Sequence, residues 1–277
     1  MTPVRVGLCF DHRLLFSPRH AKKLAALDVL VFPELLDGGY AALKHGTRPH
    51  RTSDPFITDF VTASMTLPAV IVAGSTFVED PSRHHTNTSF VYQAGHLLHR
   101  YDKIHLFKPT GDPLYFVAGR TIRPFIMRAG GMRTRAGVVI CYDLRFPELT
   151  RSLAQQGIRI LFVPARWPAK RDEAWRTLLN ARAIENQIFV VGCNALGPEG
   201  GPSYAFDPLG KLIYTNRRAL GRKLGEFVVD LDAITEAHAM HQNIEDAILL
   251  KERPPLRMLK PAKGRRARIS SRRSRGG

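Results

Sequence analysis

Short apolar runs rich in β-branched residues alternate along this chain with helical segments, and a few of the runs pair off as hairpins. Residues 4–10, 28–32, 69–73, 136–140, 158–163 and 188–192 read as buried strands. Helices are expected to open at Ser17-Pro18 and at Ser53-Asp54-Pro55, where a capping side chain precedes a proline at the first helical position; the second runs to about Met65. Residues 147–156 and 172–185 also read as helices. Residues 88–93 and 96–101 form a hairpin around Ala94-Gly95, and 123–128, 203–206, 211–214 and 226–229 complete the strands. The hairpins exclude a purely parallel barrel. They point instead to an α/β layered domain with one mixed sheet or two sheets.

At 277 residues and 44% hydrophobic, the chain has ample material for a buried core. No apolar run nears the roughly 20 residues a membrane helix needs, so no membrane partner is expected. The opening MTPVRV lacks the basic-then-apolar pattern of a secretory leader. Cys9, Cys141 and Cys193 form no C-x-x-C, and reduced thiols in a cytoplasmic protein are the expectation. The net charge of +17 is unevenly spread: the stretch 251–277 carries +10 and the remaining 250 residues +7. The expected division is therefore a catalytic-sized domain over 1–259 and a basic, disordered tail over 260–277. The tail could touch nucleic acid by charge alone, but it lacks the interleaved aromatics that stack on bases. A solvated extension is the plainer alternative.

Phosphate-loop, zinc-protease, dinucleotide and serine-elbow motifs are all absent, and the eleven histidines are scattered. What remains is a set of strand ends. GVVICYDLRFPEL (137–149) places Cys141 directly after a buried strand and just ahead of a helix, where a thiol can be reactive or simply inert and buried. VLVFPELL (29–36) ends a strand in Glu34, beside a turn at Asp37-Gly38-Gly39-Tyr40. YDKIHLF (101–107) places Lys103 in an apolar stretch after a strand. Alone, Glu34 could be a surface turn residue and Lys103 a solvated charge. Together a nucleophile, a base and a cation are what acyl transfer through a thioester requires.

These three segments resemble the Glu–Lys–Cys signature of the nitrilase superfamily of carbon–nitrogen hydrolases. WRTLLNARAIENQ (175–187), Cys193-Asn194 with Gly197, GPSYAFDPLG (201–210) and KERP (251–254) are similar to further family segments, so the resemblance runs from about Val4 to Pro255. It implies a four-layer α-β-β-α sandwich of two mixed sheets. It also implies homodimers or larger assemblies, for which the helices over 147–156 and 172–185 are the natural interface, and no metal or organic cofactor.

The implied chemistry has Glu34 as general base, Cys141 as nucleophile, and Lys103 with the Tyr142 backbone N–H as oxyanion stabilisers. Many family members carry a second glutamate just after the lysine motif. Here KPTGDPLY (108–115) offers Asp112, which could take that role at the substrate or be a turn residue. YDKIHLF, CYDLRFP, ARWP (165–168) and ARAIENQ most resemble bacterial omega-amidases, which release ammonia from α-keto amides such as 2-oxoglutaramate. Such a substrate carries a carboxylate. Arg166 or Arg145 is therefore expected to pair with it, unless both arginines pair structurally with Asp143 or Glu148. Trp167 is expected as a pocket wall, or alternatively as core. A nitrile, an N-carbamoyl amine or a simple aliphatic amide remains an alternative small-molecule substrate. A non-catalytic protein that binds nucleic acid through its tail is the alternative of another class.

Overall fold

Side chains alternate across an extended strand, so a run that is apolar at every position must be covered on both faces. Residues 29–32 show the consequence: Val29 and Val31 face one core, Leu30 and Phe32 another, and all four are fully buried. Each is worth about 1.5–3 kcal/mol of transfer free energy.

The computed structural model describes residues 3–247. Its elements, in chain order, are β1 (Pro3–Cys9), α1 (Pro18–Ala25), β2 (Val29–Val31), α2 (Gly39–Lys44), α3 (Pro55–Thr66), β3 (Val70–Val72), β4 (Thr76–Glu79), β5 (His85–Gln93), β6 (His96–Asp102), α4 (Asp112–Tyr115), β7 (Phe125–Ala129), β8 (Met132–Val138), α5 (Pro147–Gln155), β9 (Ile160–Ala165), α6 (Asp172–Asn186), β10 (Phe189–Asn194), β11 (Tyr204–Phe206), β12 (Leu212–Thr215), β13 (Leu224–Asp230) and α7 (Ala233–Met240). Short 3-10 turns occupy His12–Phe16, Lys108–Thr110, Cys141–Arg145 and Ala169–Arg171.

Two mixed sheets result. The first runs β13-β1-β2-β3-β5-β4, with β6 also paired to β5; the second runs β12-β11-β10-β9-β8-β7. Each has three parallel strands at its centre, β1-β2-β3 and β8-β9-β10, flanked by antiparallel ones. Val4, Val6, Val29, Val31, Val70 and Val72 of the first sheet join Val138, Ile160 and Phe162 of the second in one core. On the outer face of the first sheet, Leu30, Phe32 and Ile71 pack with Leu24 of α1 and with Ile57 and Phe60 of α3. On the second, α5 covers Gly137 with Leu153, and α6 covers Gly192 with Trp175 and Leu179. This is the four-layer α-β-β-α sandwich expected from the sequence.

Every expected strand and helix within the described residues is present, with ends moved by a few residues. The strand expected at 136–140 starts earlier, at Met132, and stops at Val138, because Val139 and Ile140 lead into the Cys141 turn. The hairpin turns at Ala94 and Gly95, both with positive φ (50° and 79°), the pair of left-handed residues a type I′ turn demands. Ser17 precedes Pro18 as expected, yet its Oγ lies 3.0 Å from His20 Nδ1 and makes no side-chain cap bond to the backbone. The elements not expected are α2, α4, α7 and β4. The α7 helix is held from a distance, by Gln187 Nε2 donating to the carbonyls of Ala237 (2.8 Å) and His241 (2.7 Å). No helix among the described residues is long and apolar enough to cross a membrane. The basic tail and the KERP motif lie outside the described residues.

Candidate active site

Four strands end in the residues of one cluster. Glu34 follows β2 by three residues and Lys103 follows β6 directly, both in the first sheet; Cys141 follows β8 by three and Arg166 follows β9 directly, both in the second. Strand ends of this kind are where layered α/β folds place polar groups in a crevice. The Glu34 turn is pinned from its neighbour strand. Phe32 N–H donates to Val72 O (3.0 Å), Ser75 N–H to Pro33 O (3.2 Å), and Leu35 N–H to Ser75 Oγ (3.1 Å). Gly74 makes this approach feasible: its φ is +62°, and a Cβ there would collide with the Pro33 carbonyl oxygen.

The Glu34 and Lys103 side chains are both fully buried, a placement charged groups tolerate only when paired and hydrogen-bonded. Lys103 Nζ donates to Glu34 Oε1 (2.7 Å), Asp112 Oδ2 (2.8 Å) and, more loosely, Tyr40 Oη (3.3 Å), which uses all three ammonium protons. Burial alone would lower the lysine's pKa; the charges of Glu34, Tyr40, Cys141 and Asp112 outweigh it and hold the ammonium well above its ordinary value. Glu34 Oε1 also accepts from Asn87 Nδ2 (3.0 Å) and Tyr40 Oη (3.3 Å), while Oε2 accepts from the Arg166 backbone N–H (2.9 Å). Oε2 is thus the less occupied oxygen.

Cys141 has φ +47°, a left-handed conformation rare for a residue with a Cβ and found where a turn presents a side chain. Asp143 stabilises the turn. Its buried carboxylate accepts from Tyr101 Oη (2.8 Å), His105 N–H (2.8 Å) and Ile140 N–H (3.2 Å). The thiol lies 3.8 Å from Arg166 O, as donor. Burial pushes its pKa well up, and the Glu34 charge adds to that; Lys103 opposes it. The resting group is therefore a thiol beside a carboxylate. The Tyr142 backbone N–H, the next in the turn, has no acceptor among the described residues.

Cys141 and Tyr142 line a cavity of about 450 Å³. Of the residues expected to bind substrate, Trp167, Arg145 and Arg166 line it and Asp112 does not. Asp112 is a correction: it is fully buried behind Lys103, accepting also from Phe107 N–H (2.9 Å) and Thr110 Oγ1 (2.6 Å). Arg166 lines the cavity as expected but is also bonded within the protein. Its Nε donates to Glu34 O (2.8 Å) and Leu35 O (3.2 Å), Nη2 to Leu35 O (2.8 Å) and Nη1 to Glu199 Oε2 (3.2 Å), so three of its five N–H groups are engaged, two of them by the loop that carries Glu34. Neither arginine pairs with Asp143 or Glu148 among the described residues. Arg145 is exposed and lies 4.9 Å over the Trp167 ring.

Tyr40, Asn87, Glu199 and Arg171 were not foreseen as site residues. Asn87 sits inside β5, one position before the strand read from the sequence. Glu199 lies in the loop between β10 and β11, and its carboxylate accepts from the N–H groups of Tyr40 (3.1 Å) and Ala41 (3.0 Å) at the start of α2. No local sequence signal singles them out: Asn87 lies among threonines, Arg171 between Lys170 and Asp172, and Tyr40 and Glu199 in glycine-containing turns.

Residues 13–238 match the family model described as carbon-nitrogen hydrolase. The chain is 33% identical over 219 residues to a hydrolase in the agr operon of Staphylococcus lugdunensis, covering 76% of this chain and 90% of the relative. It is 33% identical over 199 residues to a 2-oxoglutaramate amidase of Bacillus subtilis, covering 70% and 75% respectively. Among solved structures, XC1258 of Xanthomonas campestris, a CN-hydrolase superfamily protein with an arsenic adduct in its active site, superimposes with a TM-score of 0.75 at 25% identity, over 89% of this chain and 98% of that one.

Proposed function

The chain belongs to the carbon–nitrogen hydrolase family and hydrolyses an amide-type bond through a cysteine, and we propose that Cys141, Glu34 and Lys103 carry that chemistry on a small α-keto amide with a carboxylate. The observation that carries this reading is the left-handed Cys141 at a strand end, beside a buried Glu34–Lys103–Asp112 charge cluster and in the wall of a cavity.

Glu34 Oε2 takes the thiol proton as sulfur attacks the amide carbon. The carbonyl oxygen becomes an oxyanion, held by the Tyr142 N–H and by Lys103 Nζ. Lys103 reaches it by exchanging its longest bond, the 3.3 Å contact to Tyr40, and keeps both carboxylates. The tetrahedral intermediate collapses as Glu34 delivers the proton to the departing nitrogen. Ammonia leaves, and the acyl group remains on sulfur as a thioester. Glu34 then takes a proton from water, whose oxygen attacks the thioester carbon; collapse returns the proton to sulfur and frees the carboxylic acid. Asp112 is a positioning residue, neutralising and aiming Lys103. The 33% identity to a 2-oxoglutaramate amidase supports a keto amide as substrate, as do the cations around the cavity.

Three unpaired, buried cysteines fit a reducing, cytoplasmic setting. A homodimer formed through α5 and α6 fits their place on the outer layer. Ammonia release from 2-oxoglutaramate, glutamine, an N-carbamoyl amine and a simple nitrile tests the proposal, with Cys141→Ala as blank. Fastest turnover of the keto amide and a dead variant are expected. Preference for another substrate would overturn the keto-amide reading, and activity in the variant would overturn the mechanism.

A further inference from the structure

The cavity is lined by five cations, Lys44, Arg145, Arg166, Lys170 and Arg171, against one carboxylate, Glu199. Arg166 and Glu199 pair with each other at 3.2 Å. The surplus is positive, and two of the remaining cations are guanidinium groups laid on aromatic walls. Arg145 lies over Trp167 at 4.9 Å and Arg171 over Phe107 at 5.1 Å. Neither is ion-paired among the described residues; Asp172, next in sequence to Arg171, is engaged by Tyr204 Oη (2.8 and 2.9 Å) and by Arg217 (3.6 Å).

Arg171 differs from Arg145 in three respects. It is half-buried rather than exposed. Its backbone is fixed, donating its N–H to Pro168 O (2.9 Å) and accepting from Trp167 Nε1 (3.0 Å). Its Nε is buried with no hydrogen-bond partner. A buried donor without an acceptor is costly, and a cationic one more so. The ring beneath it belongs to Phe107, whose N–H is bonded to Asp112, the partner of Lys103, and whose side chain packs 4.7 Å from that of Tyr142. Arg171 is thereby tied to both sides of the reacting centre. A guanidinium stacked on an aromatic face keeps its edge N–H groups free, in the fork geometry that suits a carboxylate.

We propose that Arg171 is the residue that anchors the substrate's carboxylate, so that this enzyme selects amides bearing an acid at the end remote from the scissile bond. The inference rests on the amidase reading above. Its anchor is a residue the ARWP motif does not contain: Arg166, the arginine in that motif, serves the Glu34 loop instead.

The test compares kcat/KM for 2-oxoglutaramate with that for an uncharged aliphatic amide, in wild type, Arg171→Gln, Arg171→Lys and Arg145→Gln. The ratio of the two should fall roughly 30- to 150-fold in Arg171→Gln, as expected when a two-bond charged contact is lost, with most of the change in KM. Arg171→Lys should fall between. Calorimetric binding of 2-oxoglutaramate to Cys141→Ala, with and without Arg171→Gln, gives a second readout independent of turnover, and melting curves report folding. An unchanged ratio and unchanged binding in Arg171→Gln would overturn the inference, leaving Arg171 a prop for Phe107 and Trp167. So would a selective loss confined to Arg145→Gln. In both cases wild-type turnover of the keto amide still supports the amidase reading. A wild type active on the uncharged amide alone would overturn the anchor and the keto-amide substrate while leaving the triad intact.

Discussion

Replacing Arg166 with alanine separates a structural arginine from a substrate-binding one. The side chain serves three acceptors. Leu35 O keeps a second donor, Gly39 N–H at 2.9 Å. Glu199 keeps two backbone N–H groups and is 31% exposed, so water can replace what it loses. Glu34 O has no other donor among the described residues and belongs to a fully buried residue. One orphaned buried carbonyl costs about 1–3 kcal/mol, and the lost charge-assisted bond to Leu35 adds about 1–2 kcal/mol. The total of about 2–5 kcal/mol corresponds to a melting point lower by roughly 4–20 °C for a domain of this size. The same loop carries Glu34, the proposed general base, and a shift of about 1 Å there costs on the order of a hundredfold in rate. That loss arises before any substrate group is recognised, so it should be equal for a carboxylate-bearing and an uncharged amide. Thermal unfolding and paired kcat/KM measurements on Arg166→Ala check both parts. A melting point within 2 °C of wild type, or a loss more than tenfold greater for the charged amide, would refute the reasoning and restore Arg166 as the carboxylate anchor.

Other consequences can be read from the same contacts. Because burial and the Glu34 charge raise the Cys141 pKa, alkylation of the free enzyme by iodoacetamide, measured against Cys141→Ala, should keep accelerating through about pH 9; a plateau below about pH 8 would contradict this. Gly74→Ala forces a left-handed alanine against the Pro33 carbonyl, at about 1–2 kcal/mol for the conformation and more for the collision. Both melting point and kcat should drop, and a fully active, equally stable variant would show that the Glu34 turn is not held this way. Burial, and then the Arg123 charge, push His99 down to about 4. Its contribution to stability is therefore complete above the ordinary histidine value of 6.5 and is lost as the pH falls towards 4, on the order of 3 kcal/mol in all. Urea unfolding at pH 7 and pH 4.5 should show a loss smaller by about 2 kcal/mol in His99→Leu than in wild type, and equal losses would refute the assignment.

The sandwich was legible because its strands are short runs apolar at every position, which only a doubly covered sheet explains, and because proline after Ser17 and Asp54 marks helix starts. Glu34, Lys103 and Cys141 were legible because each breaks an apolar run at its end. The structure brings all three together with Asp112. What could not be read was pairing between distant residues. The α2 helix begins at two glycines and gains its N-terminal partner from Glu199, 159 positions from Tyr40. Asp112 and Arg166 have the residue types a substrate carboxylate or amide would ask for. Which partner each chose depended on Lys103 and on the Glu34 carbonyl, and the strand-to-strand register that sets this is absent from local pattern. Arg171 lies in a polar stretch where nothing local distinguishes it from Lys170.

The groups proposed to react are divided between the sheets: Glu34 and Lys103 from the first, Cys141 and the Arg166 backbone from the second. A chain in which only one half has formed thus holds either a carboxylate and an ammonium with nothing to activate, or a cysteine with no proton acceptor beside it. Ammonia release then becomes a gauge of assembly, reporting the last event in which the two halves close on each other. During refolding it should lag behind the far-ultraviolet signal of the separate layers.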